Sequence, residues 1–453
     1  PVEGKGMKYN ILDTPGFFDF AGEVKEGLRA ADSALIALSG RSGVSVGTEQ
    51  VFKYAKQKNV PIMFFVNKID DHRANYQQTL EQMKQVFGKA VTPFVYPIRE
   101  GDEFKGFVDI VDMTARRYEG TERVDIPVPE GMDEIVAPLR EMIMEAIAET
   151  DDALMNKYFN GEEFTFDEIK KAIRKGVKDG SIYPVYCGSG AANIGVRSLM
   201  DGIGKYLPNP NEIAEIAHDA KTGEPIEVVQ DAGDTTAAIV FKTITDPYVG
   251  KMSMFRVYSG TVNADSVLYN PNKGVNEKIG KIFMLRGKKQ IETKQVSAGD
   301  IGVVAKLDNT KTGDTLCDEN KNIILSGIEF PSPVLSMAIL PIAKGDEEKI
   351  VSGLNKLTDE DPTFNITQNS ETKQTLINGQ GEQHIDVIKQ KLKAKYGVDM
   401  KLEEPIVPYR ETIQAKVKAE GKHKKQSGGH GQYGHVWIEF EPGSTEDMTF
   451  EEK

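Results

Sequence analysis

Cysteine is nearly absent: 453 residues contain two, with one tryptophan and six histidines. Cys187 and Cys317 lie far apart beside apolar segments, which reads as core thiols in a reducing compartment and excludes a disulfide scaffold. No apolar run approaches the ~20 residues needed to span a bilayer, and no signal-peptide pattern is present, so no membrane partner is expected. Excess positive charge is missing too. At a formal net charge of −13 the chain as a whole is no general polyanion binder, and any nucleic-acid contact must come from a local basic patch.

What is present is the composition of a soluble globular protein, 39% hydrophobic and 28% charged. The length implies about three or more domains. The chain starts at Pro1, runs almost directly into a strand-like segment, and closes in the acidic run Glu446–Lys453. Both ends are expected to be cuts through a larger protein.

Three stretches share one grammar. Tyr9-Asn10-Ile11-Leu12 precedes Asp13-Thr14-Pro15-Gly16. Pro61-Ile62-Met63-Phe64-Phe65-Val66 precedes Asn67-Lys68-Ile69-Asp70, and Tyr183-Pro184-Val185-Tyr186-Cys187 precedes Gly188-Ser189-Gly190-Ala191. Each reads as a buried strand delivering polar residues at its C-terminal end, where open parallel sheets bind ligands. The interval from Asp13 to Asn67 accommodates helix–strand–helix–strand, with a strand over Leu28–Leu38 and a helix over Gly47–Lys58. The pattern is doubly wound α/β.

The polar residues suit a guanine nucleotide. Asp13 can hold Mg²⁺ through its bound waters, and Gly16 can bring its N–H close to a terminal phosphate. The Asp70 carboxylate can accept from both N1–H and the 2-amino group of guanine, a pair of donors that adenine lacks. The Lys68 stem can lie over the base, Asn67 can tie neighbouring loops together, and Ser189 and Gly190 can offer N–H groups to the guanine O6. A lone Asp-Thr-Pro-Gly is a common strand-end turn; the order and spacing of the set carry the weight.

On these residues the chain resembles the translational GTPases, most closely elongation factor G and its paralogues. Asp13-Thr14-Pro15-Gly16 matches that family's third conserved nucleotide loop, Asn67-Lys68-Ile69-Asp70 its fourth, and Ser189-Gly190-Ala191 its fifth. The first two have no counterpart: no Gly-x-x-x-x-Gly-Lys-Ser/Thr occurs. The resemblance therefore implies that the first part of the GTPase domain lies outside this sequence. The chain as given is expected to bind GTP poorly and to be inactive, although the intact protein would be a GTPase. The resemblance further implies GTP/GDP and Mg²⁺ as ligands, the ribosome as partner, a monomer, and a cytoplasmic location. The family's usual His after the Gly is Phe17 here. A phenyl ring cannot orient an attacking water, so no catalytic residue is assigned. The readings are translocation with weakened or ordinary hydrolysis, a ribosomal protection protein, or a GTP-binding ribosome module with little turnover.

The expected fold is therefore multidomain. An incomplete P-loop-type α/β GTPase domain spans 1–88 and 178–215, and an inserted α+β subdomain spans 89–177. Glu141, Glu145 and Glu149 share a face of one insert helix, read as solvated, with a basic ribosomal protein as the alternative contact. Leu207-Pro208-Asn209-Pro210 is a stiff linker. A β-barrel follows over 220–325, with Val257-Tyr258-Ser259-Gly260 and Thr312-Gly313-Asp314-Thr315-Leu316 resembling the family's second domain. A β-α-β-β-α-β run over 329–404 is ferredoxin-like. There Gly379-Gln380-Gly381-Glu382-Gln383-His384 resembles the third domain, and His384 reads as structural.

Residues 405–453 resemble the start of the fourth domain and hold the strong basic cluster Lys416, Lys418, Lys422, His423, Lys424 and Lys425. Gly428-Gly429-His430-Gly431-Gln432-Tyr433-Gly434-His435 follows. This reads as a flexible glycine-rich loop in which Lys422, His423, Lys424, Lys425, His430, Gln432 and Tyr433 contact RNA. His430 and His435 could hold a metal, but no cysteine accompanies them.

Overall fold

The computed structural model describes residues 1–452 except 102, 120, 121, 247–249, 410 and 444–447, with the backbone alone at Ser427 and His430. The acidic end Glu446–Lys453 thus lies partly outside the described residues. The chain opens as an antiparallel hairpin of β1 (Val2–Gly4) and β2 (Met7–Tyr9). Helix α1 (Ala21–Ala30), β3 (Ala34–Ser39), α2 (Val46–Gln57), β4 (Ile62–Asn67), α3 (Tyr76–Phe87) and β5 (Val91–Pro93) follow. An excursion through β6 (Val95–Glu100), β7 (Glu103–Asp109), β8 (Thr114–Glu119), β9 (Glu122–Ile126), α4 (Asp133–Ala148), α5 (Asp152–Phe159) and α6 (Phe166–Asp179) returns as β10 (Tyr183–Cys187) and ends in α7 (Val196–Tyr206).

Strands β3, β4, β10 and β5 form one parallel sheet in that order. Its centre is β4, buried from Ile62 to Val66, the run without alternation that a sheet covered on both faces requires. Phe64 on β4 meets Phe52 of α2, Phe87 of α3 and Tyr183 of β10 at ring-centroid distances of 6.1, 5.1 and 6.3 Å. Ser45 starts α2 with a capping box through Thr48, and Thr165 starts α6 with one through Glu168. Each satisfies backbone donors that the first helical turn leaves unpaired.

Two expectations fail here. The run Leu28–Leu38 is the end of α1 plus β3, not one strand. Asp32-Ser33 interrupts it, and the Glu, Lys, Arg and Ala of α1 favour helix. The strand expected over Tyr9–Leu12 stops at Tyr9, pairs only with β1, and residues 10–16 have no regular structure. Among the described residues no strand lies between β2 and the parallel sheet, so β2 has no neighbour there to set its register. It is held instead by charge. Lys5 pairs with Asp201 at 2.5 Å, and Lys8 and Asn10 reach Asp300 at 2.5 and 2.8 Å.

The excursion is a subdomain with its own antiparallel sheet, β6-β7-β8-β9. Its Glu141 accepts from the Tyr158 hydroxyl and Glu149 pairs with Lys89 at 2.9 Å. Both cysteines are buried and unpaired, and burial pushes the Cys187 thiol well above its ordinary pKa.

An eight-stranded antiparallel sheet dominates the next domain. A smaller sheet joins Glu215–Asp219 to Pro225–Val228 and Ile323–Leu325, so strand pairing starts before the expected boundary at 220. Beyond it, Leu335–Pro341, α8 (Glu347–Thr358), Asn365–Gln368, Thr375–Gly379, α9 (Glu382–Tyr396) and Met400–Glu403 make the β-α-β-β-α-β unit read from the sequence. Ile350, Leu354 and Leu357 of α8 and Ile385, Ile388 and Leu392 of α9 fill its core.

The glycine-rich loop is corrected outright. Val417–Ser427 and His430–Phe440 pair along their whole length as a hairpin. Gly428 and Gly429 form its two-residue turn, at φ of 56° and 87°, the geometry that matches the twist of the strands. Lys422, His423, Lys424, Lys425, Gln432 and Tyr433 therefore sit on strands. Val417, Ala419, Val436, Trp437, Ile438 and Phe440 near the open end supply the β-preference that the lysines and glycines masked.

Candidate guanine-nucleotide site and its domain seam

At the C-terminal edge of the parallel sheet the loops after β4 and β10 are tied together. The Asn67 side-chain oxygen accepts from its neighbour Lys68 N–H at 2.8 Å and from Gly190 N–H at 2.9 Å. Ile69 N–H donates to the Gly188 carbonyl at 3.1 Å, and the Ile69 side chain is fully buried. That anchor turns Lys68 and Asp70 out to solvent. Lys68 adopts φ 60°, a left-handed conformation rare outside glycine and concentrated at functional sites. Among the described residues Asp70 has no hydrogen-bond or ionic partner. Its neighbour Asp71 is engaged by Arg73, whose hydrogen bonds hold that carboxyl down at about 2.

Sequence expectation and structure part at the next loop. Ser189 N–H donates to the Ile194 carbonyl at 2.9 Å, its hydroxyl accepts from Ala192 N–H at 3.1 Å, and its side chain is buried. Gly190 N–H is held by Asn67. Neither N–H is free for a base oxygen in this conformation, because the turn closes its own backbone bonds first. Ala191 is exposed beside them.

Asp13, Thr14, Pro15 and Gly16 are exposed and stand on an irregular segment, not at a sheet strand's end. The segment folds over α1 and reaches the start of α2. A Cβ added at Gly27 would touch the Thr14 methyl at 2.7 Å, and one at Gly47 would meet the Gly16 carbonyl at 3.8 Å. Phe17 follows at 64% exposure, its carbonyl accepting from Phe20 N–H at 3.1 Å. Among the described residues no group of three or more His, Cys, Asp or Glu could hold a metal ion. A lone Asp13 fits Mg²⁺ held through water and ligand phosphates, not an all-protein cage.

Sequence reasoning missed what lies directly downstream. Asp19 accepts from His384 N–H at 3.2 Å at the start of α9, and a Cβ on Gly381 would overlap its carboxylate. His384 is buried, accepts from Gln380 N–H at 3.0 Å, and meets Asp361 at 2.8 Å through its other ring nitrogen. The structural role expected of it is the one observed. Next, Glu23 and Glu26 of α1 both pair with Lys242 of the β-barrel domain, Glu26 at 2.7 Å. Arg29 bonds the Tyr258 hydroxyl at 2.5 Å and Glu215 at 2.8 Å. Arg256 forks onto Asp32 at 2.6 and 2.9 Å and reaches the Ala30 carbonyl at 2.6 Å. The Tyr258 ring lies between the two guanidinium groups, 5.0 and 5.2 Å from its centroid. The segment from Asp19 to Asp32 is thus fastened to two other domains. Partners 186 or more residues apart leave no local sequence signal.

Burial in this seam, only partly offset by Lys242, raises the Glu26 carboxyl from its usual 4.5 to about 7; Glu23 and Asp361 add repulsion. A raised acid pKa means that its stabilising contribution is complete below 4.5 and is lost as pH climbs through 7. At 1.36 kcal/mol per unit that loss is on the order of 3 kcal/mol. Glu26→Gln mimics the protonated form. It should match wild type near pH 5 and overtake it in urea midpoint by pH 8. A difference between the two that does not change with pH would show that Glu26 stays ionised throughout.

The order of these parts is distinctive: a parallel sheet with a tied loop pair at its C-terminal edge, a barrel, a split β-α-β unit and a basic hairpin. Their order is the domain order of a translational GTPase. The family model for the elongation factor Tu GTP binding domain matches residues 1–209, that for elongation factor G domain 2 matches 235–319, that for domain III 330–404 and that for domain IV 405–453. A crystal structure of a protein from Thermus thermophilus is 34% identical, with a TM-score of 0.84 over 98% of this chain and 64% of that one. The chain belongs to the elongation factor G family of translational GTPases.

Proposed function

We propose that this chain works as part of a GTP-binding elongation factor that acts on the ribosome in translocation. The observation that carries the reading is the exposed Asp70, without a partner among the described residues, on a loop locked by Asn67 to Gly190, within an elongation factor G domain order. Asp70 receives the guanine edge and Lys68 covers the base. Ala191, adjoining the engaged N–H groups of Ser189 and Gly190, faces the base oxygen. Thr14, Pro15 and Gly16 approach the terminal phosphate, and Asp13 orders the waters of Mg²⁺. Phe17 supports a second reading, a GTP-dependent ribosome binder with little turnover, because its exposed ring has no atom to orient water. Single-turnover hydrolysis by the intact protein with ribosomes separates the two.

The basic hairpin is the RNA contact of this proposal. Among the described residues Lys422, Lys424 and Lys425 have no carboxylate partner; His423 and Gln432 lie 3.4 Å apart across the strands. The His430 side chain lies outside the described residues. Reversing the three lysines to Glu should leave the melting temperature nearly unchanged, since all are exposed. Ribosome binding should weaken, and its salt slope should fall by roughly one per lost phosphate contact. Lost stability with unchanged ribosome binding would make the lysines structural.

A further inference from the structure

We propose that one face of the terminal hairpin, built from Tyr433, His435 and Trp437, is a stacking platform for unpaired RNA bases. The proposal rests on reading the hairpin as the protein's RNA contact, and it names the face and the form of RNA. The register pairs Lys424 with Tyr433, Lys422 with His435 and Glu420 with Trp437. Directly paired residues of an antiparallel ladder share a face, so three aromatic rings line up behind two lysines. The other face carries Val417, Ala419, Val436, Ile438 and Phe440 toward the open end and His423, Lys425 and Gln432 toward the turn. The two faces are chemically different, and only the first sets three adjoining rings beside its lysines.

The rings are open. Tyr433 and Trp437 are 66% and 67% exposed. Neighbouring centroids are 6.4 Å apart in both steps, with planes inclined by 70° and 52°, so the rings do not cover one another. The charges are ordered along the ladder. Glu439 is engaged by Lys416 and Lys418, Glu441 by Lys416 and Glu420 by His435. These acids lie toward the open end. Lys422, Lys424 and Lys425, without a carboxylate partner among the described residues, lie toward the turn, an excess of positive charge on a chain whose net charge is −13. A phosphate backbone fits the turn end, and its bases fit the rings. Stacking of this kind is tolerant of sequence and demands bases freed from a duplex.

Trp437 is the chain's one tryptophan, so it reports directly. The 453-residue chain is titrated with a fluorescently labelled single-stranded oligouridylate and with an RNA duplex of equal length. Anisotropy reads binding, and intrinsic fluorescence reads Trp437. The single strand should bind and quench the tryptophan to saturation, and more tightly than the duplex. Trp437→Ala should weaken single-strand binding about 10-fold, while Trp437→Phe, which keeps a ring, should retain most of it at an unchanged melting temperature. Binding without quenching, an unaffected Trp437→Ala, or equal affinity for the duplex would overturn the platform and leave the RNA contact standing. No binding to either RNA, together with unaltered ribosome binding by the triple lysine reversal, would remove the RNA contact itself. Should Trp437→Ala not fold, Trp437→Phe decides: retained single-strand affinity supports the platform and its loss overturns it.

Discussion

Asp70→Asn should move the nucleotide preference of the intact protein from guanine toward xanthine. In the proposed site the carboxylate would accept two N–H groups from guanine; an amide would accept one and present its own N–H₂ to the other. Opposite the 2-amino group that leaves two donors facing each other, and GTP affinity should fall by up to ~10⁴-fold, the scale on which sites with unpaired buried groups discriminate. Xanthine has a carbonyl at that place and pairs with the amide. The loop itself should survive the change. Asp70 is exposed and holds nothing in place, whereas Asn67 and Ile69 carry the architecture. Competition between GTP and xanthosine triphosphate, measured on both forms, checks this. Unchanged GTP affinity in the Asn variant would remove Asp70 from the base site.

Phe17→His should raise ribosome-stimulated hydrolysis in the intact protein, on the order of 10²-fold or more, the range that a positioned acid–base group contributes. Hydrolysis of this kind depends on placing a water in line with the terminal phosphate, and a phenyl ring cannot hold one. The structure also bears on the competing outcome, in which Phe17 packs into an apolar gate and His only loosens it. Its ring is 64% exposed and has no aromatic neighbour among the described residues, so the exchange removes little packing. Nucleotide affinity should hardly change. The decisive comparison is wild type, Phe17→His and a His-bearing elongation factor G assayed side by side. Wild-type turnover equal to that of the His-bearing factor would place water positioning on another group.

The seam around α1 gives both predictions a wider setting. Asp19, two residues after Phe17, is bonded to the first turn of α9, and Glu26, Arg29 and Asp32 are bonded to the barrel domain. A change at the Asp13–Phe17 loop therefore meets buried ion pairs, which cost several kcal/mol to break one-sidedly. Movement there is expected to take the neighbouring domains with it.

Local periodicity and local turns are legible without any coordinates. Helix α8 and the β-α-β-β-α-β order could be read because Ile350, Leu354 and Leu357 repeat at helical spacing and the turns are marked by Gly, Pro or Asp. The Asn67–Asp70 loop could be read because an apolar run ends abruptly in polar residues. Other features exist only in the folded chain. Asp32-Ser33 and the helix formers of α1 mark the division of Leu28–Leu38 locally, but the covering of α1 by the barrel domain's Lys242, Arg256 and Tyr258 has no local mark. Whether Lys422–Tyr433 is loop or strand depends on cross-strand partners, since ladder hydrogen bonds join residues that no short window contains. The joining of Asp19 to His384 depends on two domains docking. Hydrophobic period and capping act within a few residues, whereas packing and ion pairing act through space, and the assembly around this nucleotide site is of the second kind.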